Sequence, residues 1–431
     1  MRYSFRLAKL VGHMPDPRKR PGTIKQICEF TGLDRHQVAA LLKSEVKYIP
    51  LEAIGKLCDY LLAKRLAKPK DLPGILFALE PENFWELIAR RQWVEVCMGV
   101  RKDGPDDTLD DAWIVGSDSV MFGELLSGIT DFRLWAPKAA ADAAIPFPTE
   151  PPAAMTNPEG NGSNGSTVIQ MPIPEPLDPA KPLLPEVLRQ TLVWSPGRNK
   201  LEYTTMATKI HESFLNQEED DKALVCIGSV KSNPVVERII ASVFGCPEFE
   251  SQDKISSSAK RSVPFFLRYR DKDPIHLTSC SGGWQLAEGH AADKPGIYYE
   301  TKGGKWECCP CDDKKQDAAL VFYVNRPSQG ILEMALVGYS GRASRWLAQH
   351  LDRCSEQLWP PVYSGQGLEI GAFVIRFNMK DKARKDKTNF GHDDAPKIDV
   401  HRLDAEVIAR RMQAVSEAMG EETGEEPEGE Q

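Results

Sequence analysis

Apolar and polar positions near the start of the chain follow a helical period. Between Ile24 and Leu42, apolar residues recur three and four positions apart, and Gly32 interrupts the pattern once. A glycine at such an interruption permits the positive φ of a tight turn between two helices. Asp34 follows as the expected N-cap of the second helix. The pattern therefore predicts two short helices around a turn, and residues 49–62 predict a third helix.

The predicted second helix has an inward apolar face and an outward polar face. Val38, Leu41 and Leu42 repeat at helical spacing and are expected to point inward. Arginine pairs with guanine, and glutamine with adenine, through two hydrogen bonds each. We therefore expect the outward residues to contact DNA bases; they are Arg35, His36, Gln37 and Lys43. An upstream basic loop has two interpretations, phosphate contact and simple solvation, and its basic residues are Arg18, Lys19 and Arg20.

Two further positions make this segment similar to a known class of DNA-binding motif. A small residue, Cys28, lies four positions before Gly32, and a β-branched residue, Val38, lies six positions after it. With the closing helix at residues 49–62, the segment resembles the helix-turn-helix of Xre/Cro-type repressors. The resemblance covers about the first 75 residues. It implies a small helical bundle that places its second helix in the major groove, as in bacterial transcription regulators.

The charge of the chain is divided unevenly between its start and the rest. The 431 residues carry a net charge of −8, yet residues 1–70 contain 15 basic and 6 acidic residues, which is a balance of +9. A basic head on an acidic body is expected when only the head meets nucleic acid. No long apolar run predicts a membrane span, and ten irregularly spaced cysteines do not predict a disulfide framework. We expect a cytoplasmic protein.

Strand and helix patterns alternate through the remainder of the chain. The predicted strands include residues 94–100, 223–229, 318–324, 331–338 and 371–378, and helical patterns follow directly after 223–229 and 331–338. Residues 184–192 and 400–419 are predicted to be helical. The expected fold is an α-helical bundle followed by an α/β, Rossmann-like body with a disordered insertion. The expected divisions are the head 1–75, the first body segment 76–135, the linker 136–186, the second body segment 187–420 and the acidic tail 421–431.

Two strand-to-helix turns in the body combine small hydroxyl residues with a basic residue. Such turns present free backbone N–H groups at a helix start, which can bind an anion. Neither turn matches a nucleotide-binding fingerprint, and tight α/β turns require small residues even without a ligand. If both strands lie in one parallel sheet, the turns open at the same edge. The candidate ligand residues are Gly228, Ser229, Lys231, Asn233, Ser340, Gly341 and Arg342.

Other reactive residues predict no definite chemistry. Cys308 and Cys311 form a Cys-x-x-Cys pair, but a zinc site usually needs a second pair, and a surface loop is the alternative interpretation. No catalytic set, metal site or cofactor site is predicted.

The leading hypothesis is a sequence-specific DNA-binding transcriptional regulator whose α/β body senses a small anionic ligand or forms a homodimer. The apolar stripe of residues 400–419 is a candidate dimer contact, with packing on its own body as the alternative. The second hypothesis is an α/β nucleotide-processing enzyme or effector that carries the helix-turn-helix for tethering or autoregulation. The third is a protein–protein adaptor.

Overall fold

A computed structural model defines the fold over most of the chain. It describes residues 3–12, 22–44, 46–69, 72–102, 112–134, 187–194, 200–217, 221–229, 232–246, 248, 263–269, 294–312, 315–379 and 396–412. The predicted linker 136–186 and the acidic tail 421–431 lie outside the described residues. So do the basic residues of the upstream loop and of the first turn, which are Arg18, Lys19, Arg20 and Lys231.

The head is built from short helices and a two-stranded sheet. Strand β1 (Tyr3–Phe5) leads into α1 (Leu7–Leu10), and the helices α2 (Thr23–Thr31), α3 (Arg35–Leu42) and α4 (Leu51–Ala63) follow. Strand β2 (Phe77–Leu79) then pairs antiparallel with β1, so the head includes residues just beyond 75. The core of the head is apolar and is formed by residues such as Ile27, Val38, Leu41, Leu57 and Leu61.

The body contains a nine-stranded mixed sheet among its described residues. Its first segment contributes α5 (Phe84–Ala89), β3 (Trp93–Lys102), β4 (Ala112–Ile114) and α6 (Gly116–Leu134). Its second segment begins with β5 (Val187–Trp194), α7 (Lys200–Leu215), β6 (Lys222–Ile227) and α8 (Val235–Val243). The strands β10 (Gln316–Arg326) and β11 (Ile331–Gly338) lead to α9 (Gly341–Ser355). The strands β12 (Tyr363–Gly365), β13 (Leu368–Asn378) and β14 (Lys397–Arg402) complete the sheet, and residues 405–412 are helical.

Parallel strands form one half of this sheet. Strands β5, β3, β6 and β11 are parallel neighbours in that order. The other half is antiparallel, with β10 beside β11, β13 beside β10, and β12 and β14 beside β13. Strand β4 pairs antiparallel with the end of β3. The chain therefore has an α/β body with a mixed sheet.

Helices cover the sheet, and a small antiparallel sheet packs against one part of it. The helices α6 and α9 pack on each other, and α7 packs on α8. The small sheet contains β7 (Phe265–Arg268), β8 (Gly296–Glu300) and β9 (Trp306–Pro310). Phe265 of β7 and Phe244 after α8 both contact Phe322 of β10, which places β7 and α8 on the same face. Tyr323, the next residue of β10, contacts Phe84 of α5 on the opposite face.

Two predicted helices were wrong in part or in full. The pattern of 184–192 predicted a helix, but residues 187–192 belong to the edge strand β5. The predicted helix of residues 400–419 instead starts with the end of β14, and its helical part begins at residue 405. The apolar stripe of this segment is buried against its own body at Leu403, Ile408 and Met412. These three residues are therefore not free to form a dimer contact.

The head is joined to the body at the edge where the parallel strands begin. Arg6 of the head donates through Nη1 to Oδ2 of Asp221, which precedes β6, at 3.0 Å. Arg91 is buried nearby and donates to Asn325 Oδ1 at 2.6 Å, and Asn325 donates to Glu369 Oε2 at 2.6 Å. Burial lowers the pKa of Arg91 to about 10, against the opposing effect of the Asp221 charge. Nη1 of Arg91 lies 3.8 Å from Oδ1 of Asp221. A network of partly buried charges and hydrogen bonds thus connects the head with β6, β10 and β13.

Candidate nucleic-acid interface and the carboxyl edge of the sheet

The turn between α2 and α3 has the local geometry that the sequence pattern predicts. Gly32 ends α2 with a left-handed φ of 68°, and its N–H donates to the carbonyl of Cys28. The Oδ1 atom of Asp34 accepts from the N–H groups of His36, at 2.7 Å, and Gln37, at 3.4 Å. These backbone hydrogen bonds lower the pKa of Asp34, so its carboxylate stays ionised at the amino end of α3.

Helix α3 divides its residues between the core and the surface. Val38, Leu41 and Leu42 are at most 2% exposed. Arg35 and His36 are exposed, and Gln37 is half-buried. The polar residues that we expect to contact bases therefore begin at the amino end of α3, the end of a recognition helix that reaches the base edges in helix-turn-helix proteins.

The carboxyl end of α3 faces the body. Lys43 follows the helix, and its side chain is exposed. Its backbone packs on the turn between β12 and β13, where a Cβ added at Gly367 would lie 3.1 Å from the Lys43 carbonyl oxygen. The hydroxyl of Ser44 accepts from the N–H of Phe5 at 3.0 Å. The body therefore restrains one end of α3 and leaves Arg35 and His36 at the other end accessible to a macromolecule.

The two small-residue turns of the body lie side by side. They follow β6 and β11, which are parallel neighbours, and the N–H of Gly228 donates to the carbonyl of Leu336 at 3.1 Å. The expectation that both turns open at the same edge of one sheet is therefore confirmed, because β6 and β11 are adjacent and parallel. Whether a ligand binds there depends on the side chains at this edge.

At the second turn, a buried carboxylate engages the candidate ligand residues. Asp317 is 1% exposed and accepts from the hydroxyl of Ser340 at 2.5 Å and from Nε of Arg342 at 3.1 Å. Arg342 also donates to the backbone carbonyl of Asp312 at 2.8 Å. Ser340 caps α9 by accepting from the N–H of Ala343. Ser340 and Arg342 therefore stabilise this junction, and the charge of Arg342 is balanced within the protein.

At the first turn, Asn233 holds two strands together. Its Nδ2 atom donates to the carbonyls of Cys97, at 2.9 Å, and Ile227, at 3.2 Å, and its Oδ1 atom accepts from the N–H of Val235. A Cβ at Gly228 would lie 2.8 Å from Oδ2 of Asp118, which is buried. The described side chains near these turns thus include two buried carboxylates, a charge opposite to the one that attracts an anion.

The Cys-x-x-Cys pair lies at the end of β9. Cys311 is buried, and its Sγ atom contacts the carbonyl of Cys309 at 3.7 Å. Burial raises the pKa of both the Cys309 and the Cys311 thiols, which disfavours the thiolate that binds metals or reacts. Among the described residues, no cluster of His, Cys, Asp and Glu side chains is arranged to hold a metal ion.

A surface cavity of about 660 Å³ lies between α5, α6 and α9. Trp85 lines it and donates through Nε1 to Oδ1 of Asp352 at 3.3 Å. Glu124 and Glu356 add carboxylates to its wall. Aspartate and glutamate without a positioned nucleophile or histidine beside them do not define a reaction.

Sequence reasoning missed the buried acidic residues of the sheet. Glu95 in β3 accepts from Thr191 at 2.5 Å, and Glu333 in β11 contacts both His211 and Arg326. Each glutamate interrupts an otherwise apolar strand. A buried carboxylate requires a partner. A single acidic residue within an apolar strand pattern could therefore have predicted a buried, paired carboxylate.

Comparison with known proteins finds no match to a family model, to a curated protein or to a solved structure. Within the described part of the chain, no helix combines the length and the apolar character that crossing a membrane requires. The fold and the site geometry are therefore the basis for a functional assignment.

Proposed function

We propose that the chain is a sequence-specific DNA-binding regulator of the helix-turn-helix type, which reads duplex DNA with the amino end of α3. The observation that carries this proposal is the arrangement of α3 itself. Its apolar residues are buried in the head, while Arg35 and His36 are exposed at the end that the body leaves accessible.

The local chemistry supports base recognition at this end. Arg35 offers a planar fork of donors to guanine O6 and N7, and Gln37 offers both a donor and an acceptor to adenine. Asp34 stabilises the first turn of α3, so these side chains start from an ordered helix. In this mechanism, the direct contacts in the major groove select the sequence.

The distribution of charge supports the same function. The balance of +9 in residues 1–70 gives the head an electrostatic attraction for phosphates, although the whole chain carries −8. The resemblance of the α2–α3 segment to Xre/Cro-type repressors adds to this argument. The basic loop at Arg18, Lys19 and Arg20 remains a candidate phosphate contact.

The proposal is tested with the full chain and a random library of duplexes. Selected sequences are measured by fluorescence anisotropy at several salt concentrations. The Arg35→Ala variant should lose about 1–3 kcal/mol on the selected site and relax its sequence preference. Arg345→Ala is the matched control, because Arg345 is exposed on α9 of the body. It should bind like the parent chain.

Binding that showed no salt dependence, or no binding to any duplex, would contradict the proposal. Equal losses for Arg35→Ala and Arg345→Ala would show that the effect is one of overall charge. A loss of affinity at Arg35 without a change in sequence preference would reduce its role to phosphate contact.

A further inference from the structure

Strand β5 forms an edge of the nine-stranded sheet that differs from the opposite edge. Among the described residues, β5 pairs only with β3. It is eight residues long. Leu188 and Leu192, which lie on the same face of the strand, are 47% and 52% exposed. Edge strands of soluble proteins are usually short or charged, because a long apolar edge invites another strand.

The opposite edge has these protective features. Strand β12 has three residues, and β14 has the sequence Lys397-Ile398-Asp399-Val400-His401-Arg402, with four titratable side chains. Strand β5 is longer than β12 and contains a single charged residue, Arg189. Strand β5 therefore has fewer of the features that prevent pairing with another strand.

The backbone of β5 determines which residues can pair outward. The N–H of Val187 donates inward, to the carbonyl of Gln92 at 3.1 Å. Since N–H and C=O groups alternate in direction along a strand, Leu188, Gln190 and Leu192 direct theirs away from β3. An antiparallel partner must therefore form its hydrogen-bonded pairs with these three residues.

The sequence of β5 is nearly symmetric about Gln190. Residues 187–193 read Val-Leu-Arg-Gln-Thr-Leu-Val, so that Val187 mirrors Val193 and Leu188 mirrors Leu192. We propose that β5 pairs antiparallel with β5 of a second copy of this chain, about a twofold axis at Gln190. Leu188 then lies opposite the partner's Leu192, and Gln190 opposite the partner's Gln190.

Neighbouring registers are less favourable. A twofold axis at Arg189 would place the two arginines opposite each other, and like charges in that position are destabilising. A twofold axis between two adjacent residues would pair a residue whose N–H and C=O point outward with one whose groups point toward β3, so the two could not exchange hydrogen bonds. The register at Gln190 avoids both problems and joins the two sheets into one continuous sheet. This inference does not depend on DNA binding.

Sedimentation equilibrium of the full chain tests the proposal. We expect a dimer at micromolar concentration. Gln190→Pro removes an outward donor, which an edge strand tolerates, and Leu192→Lys adds a charge to the apolar face. Each should weaken dimerisation about tenfold or more. Leu201→Lys is the matched control, since Leu201 is 70% exposed on α7, and it should leave the dimer unchanged.

A second measurement tests the register without relying on the stability of these variants. Gln190→Cys places a thiol beside its own symmetry mate, at a Cα separation of about 5.5 Å that suits a disulfide. Mild oxidation should give a covalent dimer with Gln190→Cys and none with Arg189→Cys. A monomeric parent chain would overturn the proposal. A dimer equally strong in all variants would place the interface elsewhere and overturn it as well.

Discussion

Replacing Glu333 with glutamine should strongly destabilise the body. Glu333 is 1% exposed on β11, and its carboxylate contacts His211 of α7 and Arg326 of β10. Burial alone would raise the pKa of this carboxyl group, but the charges of Arg326 and His211 outweigh it and lower the pKa from 4.5 to about 2. A shift of this size corresponds to about 3 kcal/mol. Removing one partner of a buried ion pair costs a similar amount.

The sign of the shift defines how this stabilisation depends on pH. Because the folded pKa is lower than the unfolded pKa, the contribution is complete above about pH 4.5 and is lost as the pH falls through about 2. Glu333→Gln removes the titrating group. The difference in unfolding free energy between the parent chain and the variant should therefore be about 3 kcal/mol at pH 7 and should shrink below pH 4.5.

Urea denaturation followed by tryptophan fluorescence measures this difference. Glu406→Gln is the control, because Glu406 pairs with Lys302 on the surface, where both side chains are about 70% exposed. It should have little effect on the denaturation midpoint. An unfolding free energy of Glu333→Gln within about 0.5 kcal/mol of the parent chain would refute the reasoning from the buried triad.

Two further substitutions test the head and its attachment. Gly32→Ala should destabilise the head by about 1 kcal/mol, because alanine is strained at a φ of 68° although nothing lies within 4 Å, and thermal denaturation of the full chain measures the change. Unaltered melting would show that the turn relaxes without cost. Arg6→Ala removes the partly buried pair with Asp221, of which the two side chains are 12% and 23% exposed. It should lower the free energy that holds the head on the body by about 1–3 kcal/mol and increase amide exchange in β1, whereas Arg345→Ala should change neither quantity.

The helices α2 and α3 of the head could be predicted because their signals are local, whereas the pairing of β1 with β2 was not predicted. Gly32 and Asp34 lie within three residues of the helix ends that they define, and the apolar positions repeat within one helix. The predicted strand at residues 331–338 is confirmed as β11 for the same reason, since an apolar run of that length, interrupted by Glu333, fits a buried strand.

Strand β5 could not be predicted because its pattern is shaped by a distant partner. It pairs with β3, about ninety residues earlier, and its side chains at Val187, Leu188 and Leu192 remain 40–52% exposed. The leucines on a half-exposed edge strand do not alternate clearly with polar residues, and Leu184, Leu188 and Leu192 instead fit a helical period.

The contacts between side chains at the carboxyl edge of the sheet could not be predicted for a similar reason. Asp317 reaches Arg342 only because β10 and β11 are paired, and this pairing is not visible in the sequence around either residue.

The head, which carries the proposed DNA-binding surface, and the proposed dimer surface lie at different margins of the body's sheet. The head contacts the sheet where the parallel strands begin, at Asp221 before β6, whereas β5 lies at a lateral edge. If two copies pair through β5, the twofold axis is perpendicular to the sheet, because antiparallel strands are related in this way. That axis exchanges the two ends of every strand, so the two heads would lie at opposite edges of the joined sheet. Such a dimer would present its two α3 helices to separate duplex segments and would not set them one helical turn apart on a single site.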